Sequence, residues 1–229
     1  NGSGWTEVGD INTARRLGCS GGPSTAAIIM GGYSTDNTGA TETWNGSAWS
    51  ETADMNTARR NMTGNVGTTT STIVAGGKAS PTLLAVSESW NGSSWSETAD
   101  LNDARETIFQ SGADNTAALA AGGETPSFTG NTELWNGSSW AEQNNLSTAR
   151  GNAGMTGTSA AALAFGGATP SATTAMEEWS TTLAVGAWST TTSLNSGRYY
   201  LAASNSGPST DLIAYGGSDG SVRAYTEKW

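Results

Sequence analysis

Residues 44–59 read WNGSAWSETADMNTAR and residues 90–105 read WNGSSWSETADLNDAR, identical at 13 of 16 positions. Near-identity at a fixed spacing marks a repeat array, and a repeat decides a fold before any local propensity does. Outward from this unit, its first Trp recurs at Trp44, Trp90, Trp135, Trp179 and Trp229. The second recurs at Trp5, Trp49, Trp95, Trp140 and Trp188, so the pattern absorbs all ten tryptophans. A segment ending in Arg follows, at Arg15, Arg59, Arg105, Arg150 and Arg198. Then a four-residue, largely apolar run meets a Gly pair: AIIM before Gly31-Gly32, TIVA before Gly76-Gly77, ALAA before Gly122-Gly123, ALAF before Gly166-Gly167 and LIAY before Gly216-Gly217. Nine or ten intervening residues further on stands Glu42, Glu88, Glu133, Glu177 or Glu227, each two positions before a Trp.

Each copy reads as four short strands. The first follows the Arg (Leu17 to Ser20 in the first copy), the second is the apolar run, the third ends at E-x-W and the fourth starts at the next Trp. Asn-Gly between strands three and four supplies the positive φ angles of a tight reversal. No segment holds a 3.6-residue apolar period, so helix content should be near zero. Four strands per repeat of 44–48 residues predicts an all-β fold, a single five-bladed β-propeller spanning residues 1–229. Reading from Trp229 round to Asn1 gives W-N-G-S-G-W, the same hairpin found inside the chain. Residues 1–10, with the Trp5 strand, are therefore expected to complete the C-terminal blade and close the ring. Five blades bring the inner strands close to the axis. The first strands LGCS, NMTG, NAGM and LAAS are suitably small, with TIFQ (Thr107–Gln110) the bulky exception, and the channel should be narrow.

The apolar run, the Gly pair, the two spaced aromatics and the preceding Arg together resemble the kelch repeat over the whole chain. The pattern departs from it in having only four residues between the two Trp, eight in the Trp179–Trp188 copy, and in having few blades. The short W-N-G-x-x-W units are also similar to kelch-like repeats of bacteriophage structural proteins. That resemblance implies a binding or structural module displayed on a virion or extracellular surface.

Composition removes whole classes of chemistry. The 229 residues include no His, which excludes Ser-His-Asp and Cys-His nucleophile systems and His-dependent metal sites. The one Cys, Cys19, allows no internal disulfide. A net charge of −10 argues against nucleic-acid binding and against docking on anionic membranes, and no apolar stretch is long enough to span a bilayer. No cofactor is expected. Six N-x-S/T sequons, at Asn1, Asn45, Asn61, Asn91, Asn136 and Asn145, permit glycosylation in a glycosylating pathway.

Two groups of residues compete as sites. The repeated Arg and Glu would form an anion-binding ring at one mouth, but equal numbers at fixed positions favour mutual pairing as structural elements. The Trp pairs would stack on sugars, but a propeller of small residues needs them for packing. The loops after the Gly pairs are nearly constant in length and divergent in sequence. They offer Tyr33, Asp36, Lys78, Phe128, Asp219 and Arg223 as binding candidates. The function expected is non-catalytic attachment to a protein or glycan partner, other virion or surface proteins included. A multivalent lectin with repeat-equivalent sites is the alternative, and a glycoside hydrolase built on loop carboxylates stands behind it.

Overall fold

The computed structural model describes residues 6–182, 186–203 and 213–228. The strand expected at Trp5 and the final Trp229 lie outside these residues.

The apolar runs form the second strand of each blade, lying between two strands of the sheet in blades 1, 3, 4 and 5 and pairing with a single strand in blade 2. Thr72–Ala75 is buried at every position, and so is Ala162–Phe165. Blade 1 comprises β1 (Cys19–Gly21), β2 (Ala27–Met30), β3 (Thr41–Trp44) and β4 (Trp49–Glu51). Blade 2 comprises β5 (Met62–Val66), β6 (Thr72–Ala75), a small hairpin of β7 (Lys78–Ala79) and β8 (Thr82–Leu83), then β9 (Ser87–Trp90) and β10 (Trp95–Glu97). Blade 3 comprises β11 (Ile108–Asp114), β12 (Ala117–Ala121), β13 (Thr132–Trp135) and β14 (Trp140–Glu142). Blade 4 comprises β15 (Gly154–Gly157), β16 (Ala161–Phe165), β17 (Met176–Ser180) and β18 (Ala187–Thr190). Blade 5 shows β19 (Ala202–Ala203), β20 (Ile213–Tyr215) and β21 (Thr226–Lys228). There is no helix among the described residues, and the five sheets stand in a ring: the fold is a five-bladed β-propeller.

The inner strands begin later than their sequence suggests. Leu17 has φ of 62°, and Asn61, Thr107, Asn152 and Tyr200 take the same left-handed conformation at the equivalent position. A residue in that conformation breaks the strand, so β1 starts at Cys19 instead of Leu17. The break has a use. Four of the five amides donate to the preceding blade: Asn61 to Leu17 O (2.9 Å), Thr107 to Asn61 O (2.8 Å), Asn152 to Thr107 O (3.0 Å) and Tyr200 to Asn152 O (2.9 Å). A belt of main-chain bonds thus links blades 1 to 5 at one mouth. Deeper in, β5 pairs in parallel with β11 along its length and with β1 at Ser20–Asn65.

The core is divided among the seams. Four apolar clusters lie between consecutive blades, such as Ile73, Leu101, Ile108, Ala120 and Trp135 between blades 2 and 3. In blades 2, 3 and 4 the second Trp of the hairpin ties its blade to the one before. Trp95 Nε1 donates to Thr41 Oγ1 (3.1 Å), Trp140 to Ser87 Oγ (3.0 Å) and Trp188 to Thr132 Oγ1 (3.0 Å). The first Trp bonds within its own blade, Trp90 to Thr69 O at 2.9 Å for example.

Candidate functional site

The repeated charges are paired inside each blade. Nη1 of Arg15, Arg59, Arg105, Arg150 and Arg198 lies 2.6, 2.7, 2.5, 2.5 and 2.8 Å from Glu42, Glu88, Glu133, Glu177 and Glu227 respectively. All five guanidinium groups are out of solvent. Each Glu also accepts main-chain N–H groups of the segment entering its blade: Glu42 from Asn12 (2.7 Å), Glu88 from Asn56 (2.7 Å), Glu133 from Asn102 (2.9 Å). Glu177 accepts from Ser147 and Glu227 from Asn195, both at 2.8 Å. The carboxylate therefore pins the connection between blades while neutralising the Arg. Burial depresses the pKa of Arg59 and Arg150 while Glu88 and Glu177 oppose that shift, and the arginines stay charged.

The Gly pair completes this joint. Gly32 (φ 115°) donates to Arg59 O of the next blade at 2.8 Å, and a Cβ on it would stand 2.7 Å from Arg16 O. Only glycine combines that φ with so close an approach of main chains. The pairing leaves these arginines engaged with Glu, and the described tryptophans are buried or half-buried, with ring pairs such as Trp135–Trp140 at 5.4 Å between centroids.

What varies gathers at one mouth of the ring. The residue after each repeated Arg (Arg16, Arg60, Glu106, Gly151, Tyr199) forms an antiparallel bridge with the residue after each Gly pair (Tyr33, Lys78, Glu124, Ala168, Ser218). In blade 1, Arg16 N donates to Tyr33 O at 3.1 Å and Tyr33 N to Arg16 O at 2.8 Å. These positions are divergent in type yet held on regular main-chain ladders, which gives a rigid and asymmetric rim. An axial cavity of about 930 Å³ lies beside it, lined by Arg16, Thr63, Met155, Tyr200 and Tyr215 along with small inner-strand residues.

The sequence candidates distribute around this rim. Tyr33 sits with Arg16 and Arg60, whose Cζ atoms lie 5.5 and 4.8 Å from its ring centroid. Asp36 is exposed in the same loop and accepts the Asn37 amide at 2.7 Å. Lys78 forms an ion pair with Glu106 at 2.7 Å across the seam of blades 2 and 3, and Glu106 also accepts from Asn61 Nδ2. Phe128 lies over Gly151 of the next blade. Asp219 and Arg223 pair with each other at 2.9 Å, which holds the Asp219 carboxyl below its usual range. These residues share a face but form no single constellation: Tyr33, Lys78 and Phe128 occupy successive seams. Sequence reasoning missed Arg16, Arg60, Glu106, Tyr199 and Tyr200. A signal was present, since a divergent position directly follows an unchanging Arg in all five copies.

Among the described residues no three His, Cys, Asp or Glu side chains are grouped to hold a metal ion. No known protein-family model matches this chain, and no curated protein matches it as a relative.

Proposed function

We propose that the chain is a non-catalytic binding module, a kelch-like propeller that engages a protein or glycan through the face carrying the loops after the Gly pairs. The observation behind this reading is the split between constancy and divergence. Repeated Arg, Glu and Trp side chains are spent on blades and seams, whereas the residues after each Arg and each Gly pair share one rim and change from copy to copy. A scaffold needs the same residue five times; a recognition surface needs one asymmetric patch on a rigid support. With the described tryptophans buried or half-buried in their ring pairs, the five-site lectin alternative has little stacking surface to offer. Resemblance to kelch-like repeats of bacteriophage structural proteins supports display on a virion or other extracellular surface.

The test is face-specific. The labelled chain is applied to a glycan array and to surface proteins of candidate hosts, beside two variants. Tyr33→Ala/Phe128→Ala alters the rim, while Ser93→Arg/Ser138→Arg alters the exposed N-G-S loops of the other face. Binding lost only in the first variant supports the proposal, and loss only in the second overturns it. About five sugars bound per chain would revive the lectin, and turnover of a glycan would make the chain an enzyme.

A further inference from the structure

The rim carries an unbalanced charge. Of the ten cationic side chains, five are the repeated arginines in their Glu pairs, Lys78 holds Glu106, Arg223 holds Asp219 and Lys228 stands on β21 of blade 5. Arg16 and Arg60 hold no carboxylate among the described residues, although the chain has a net charge of −10. Both are gathered on one ring, that of Tyr33. Two like charges brought together without a counter-ion repel, and the aromatic face offsets only part of that cost.

The arrangement is held in place. Arg60 donates from Nη1 to Asn37 Oδ1 (2.9 Å) and from Nη2 to Ser80 Oγ (3.0 Å), which fixes the guanidinium plane between the loops of blades 1 and 2. Tyr33 is fixed by its bridges to Arg16 and to Asn37. The one acid in the loop, Asp36, accepts the Asn37 amide at 2.7 Å and forms no ion pair with either Arg among the described residues. Arg16 is exposed, lines the axial cavity and makes no side-chain hydrogen bond among the described residues, so its donors face outward.

From this geometry we infer that Arg16, Tyr33 and Arg60 form a receptor for the acid group of an acidic saccharide. The inference rests on the loop-face reading and deepens it. Two guanidinium groups supply charge-assisted donors for carboxylate or sulfate oxygens. The surroundings favour a sugar over an acidic peptide. Ser34 and Thr35 are exposed hydroxyls of the Tyr33 loop, Asn37 and Ser80 already hold Arg60, and Tyr200, beside Arg16 at the neighbouring cavity, is the one large apolar side chain exposed there among the described residues. A protein partner would need several such anchors. Of the three residues, Arg16 also borders the neighbouring cavity of about 930 Å³.

Isothermal titration tests this with defined probes: trigalacturonate, a heparin-derived tetrasaccharide, 3′-sialyllactose, neutral cellotriose and lactose, and a hexaglutamate peptide. The expected result is binding of one acidic saccharide per chain, weakened by salt. Arg16→Gln and Arg60→Gln should each lower affinity about tenfold, with the melting temperature unchanged in Arg16→Gln and at most slightly lowered in Arg60→Gln. Arg60→Lys should recover only part of the loss, since it keeps the charge but not the planar fork. Three results overturn the inference: no acidic saccharide binds, the double Gln variant binds as the parent does, or hexaglutamate binds more tightly than every saccharide. If the neutral sugars bind as well as the acidic ones and Phe128→Ala abolishes that binding, the loop-face reading survives while the acid receptor fails.

Discussion

Arg105 Nη1 lies 2.5 Å from Glu133 Oε1 across the third blade, with 0% and 2% of the two side chains exposed. Such a pair gains its Coulomb energy against a large desolvation cost, so its net worth is modest while the cost of breaking it is large. Glu133→Ala leaves a buried guanidinium without a counter-charge and leaves Asn102 N–H without its acceptor. The variant should lose about 3–5 kcal/mol in urea unfolding. Arg105→Met/Glu133→Leu, which removes both charges, should lose clearly less. Equal losses in the single and double variants would show that the pair acts through packing alone.

The same joint in the first blade makes stability depend on pH. Burial works against the Glu42 carboxylate, but the Asn12 and Thr13 amides and Arg15 outweigh it and hold its pKa below the ordinary 4.5. A carboxyl whose folded pKa is depressed contributes stability that is fully present above the unfolded value, and loses it as pH falls through the folded one. Urea midpoints followed downward from pH 7 should stay level to about 4.5 and then fall. Glu42→Gln should start lower and fall less steeply. Parallel curves for the two proteins would mean that other carboxylates carry the acid transition.

Cys19 offers a probe of the seam between blades 1 and 2. Its thiol lies in the cluster of Met30, Met62 and Trp90, and burial pushes its pKa up to about 12, with a Ser20 main-chain hydrogen bond and Arg59 opposing the shift. Only the thiolate is a nucleophile, so the folded chain should leave an aromatic disulfide reagent unreacted at pH 8. Labelling should appear in urea in step with loss of tryptophan fluorescence. Rapid labelling in buffer would place the seam open in the native state.

The features legible in the sequence were those that recur. Five Gly pairs, five Arg and five Glu in fixed register reveal the blade, because the same joint must be solved in each copy by the same residues. The interruption at Leu17 was invisible: a Leu at φ 62° follows from the belt of bonds at the mouth, which no local propensity encodes. The clasp of Arg60 on Tyr33 was equally hidden, since it joins residues of two blades through side chains that occur once. Recurrence exposes scaffold, and contacts made once need coordinates.

Gln110 shows how the one bulky inner strand, TIFQ, is accommodated. Strand β5 is drawn into parallel pairing with β11, at Gln110–Gly64 among other positions, and β6 pairs instead with β9 alone. The Gln110 amide fills the place of the missing strand: Oε1 accepts from Ala75 N at 3.0 Å and Nε2 donates to Ala75 O at 3.2 Å. Gln110→Met conserves most of the volume but leaves a buried amide and carbonyl unpaired, which should cost about 2–5 kcal/mol. Exchange of the Ala75 amide with deuterium should quicken along with the loss of stability. Gln110→Glu keeps an acceptor but gives up the donor and buries a charge, so it should be worse than Met at pH 7 and approach it in acid. A Met variant with parental stability and a still-protected Ala75 amide would mean that β5 has returned to β6 and that the parallel pairing is not what the Gln serves.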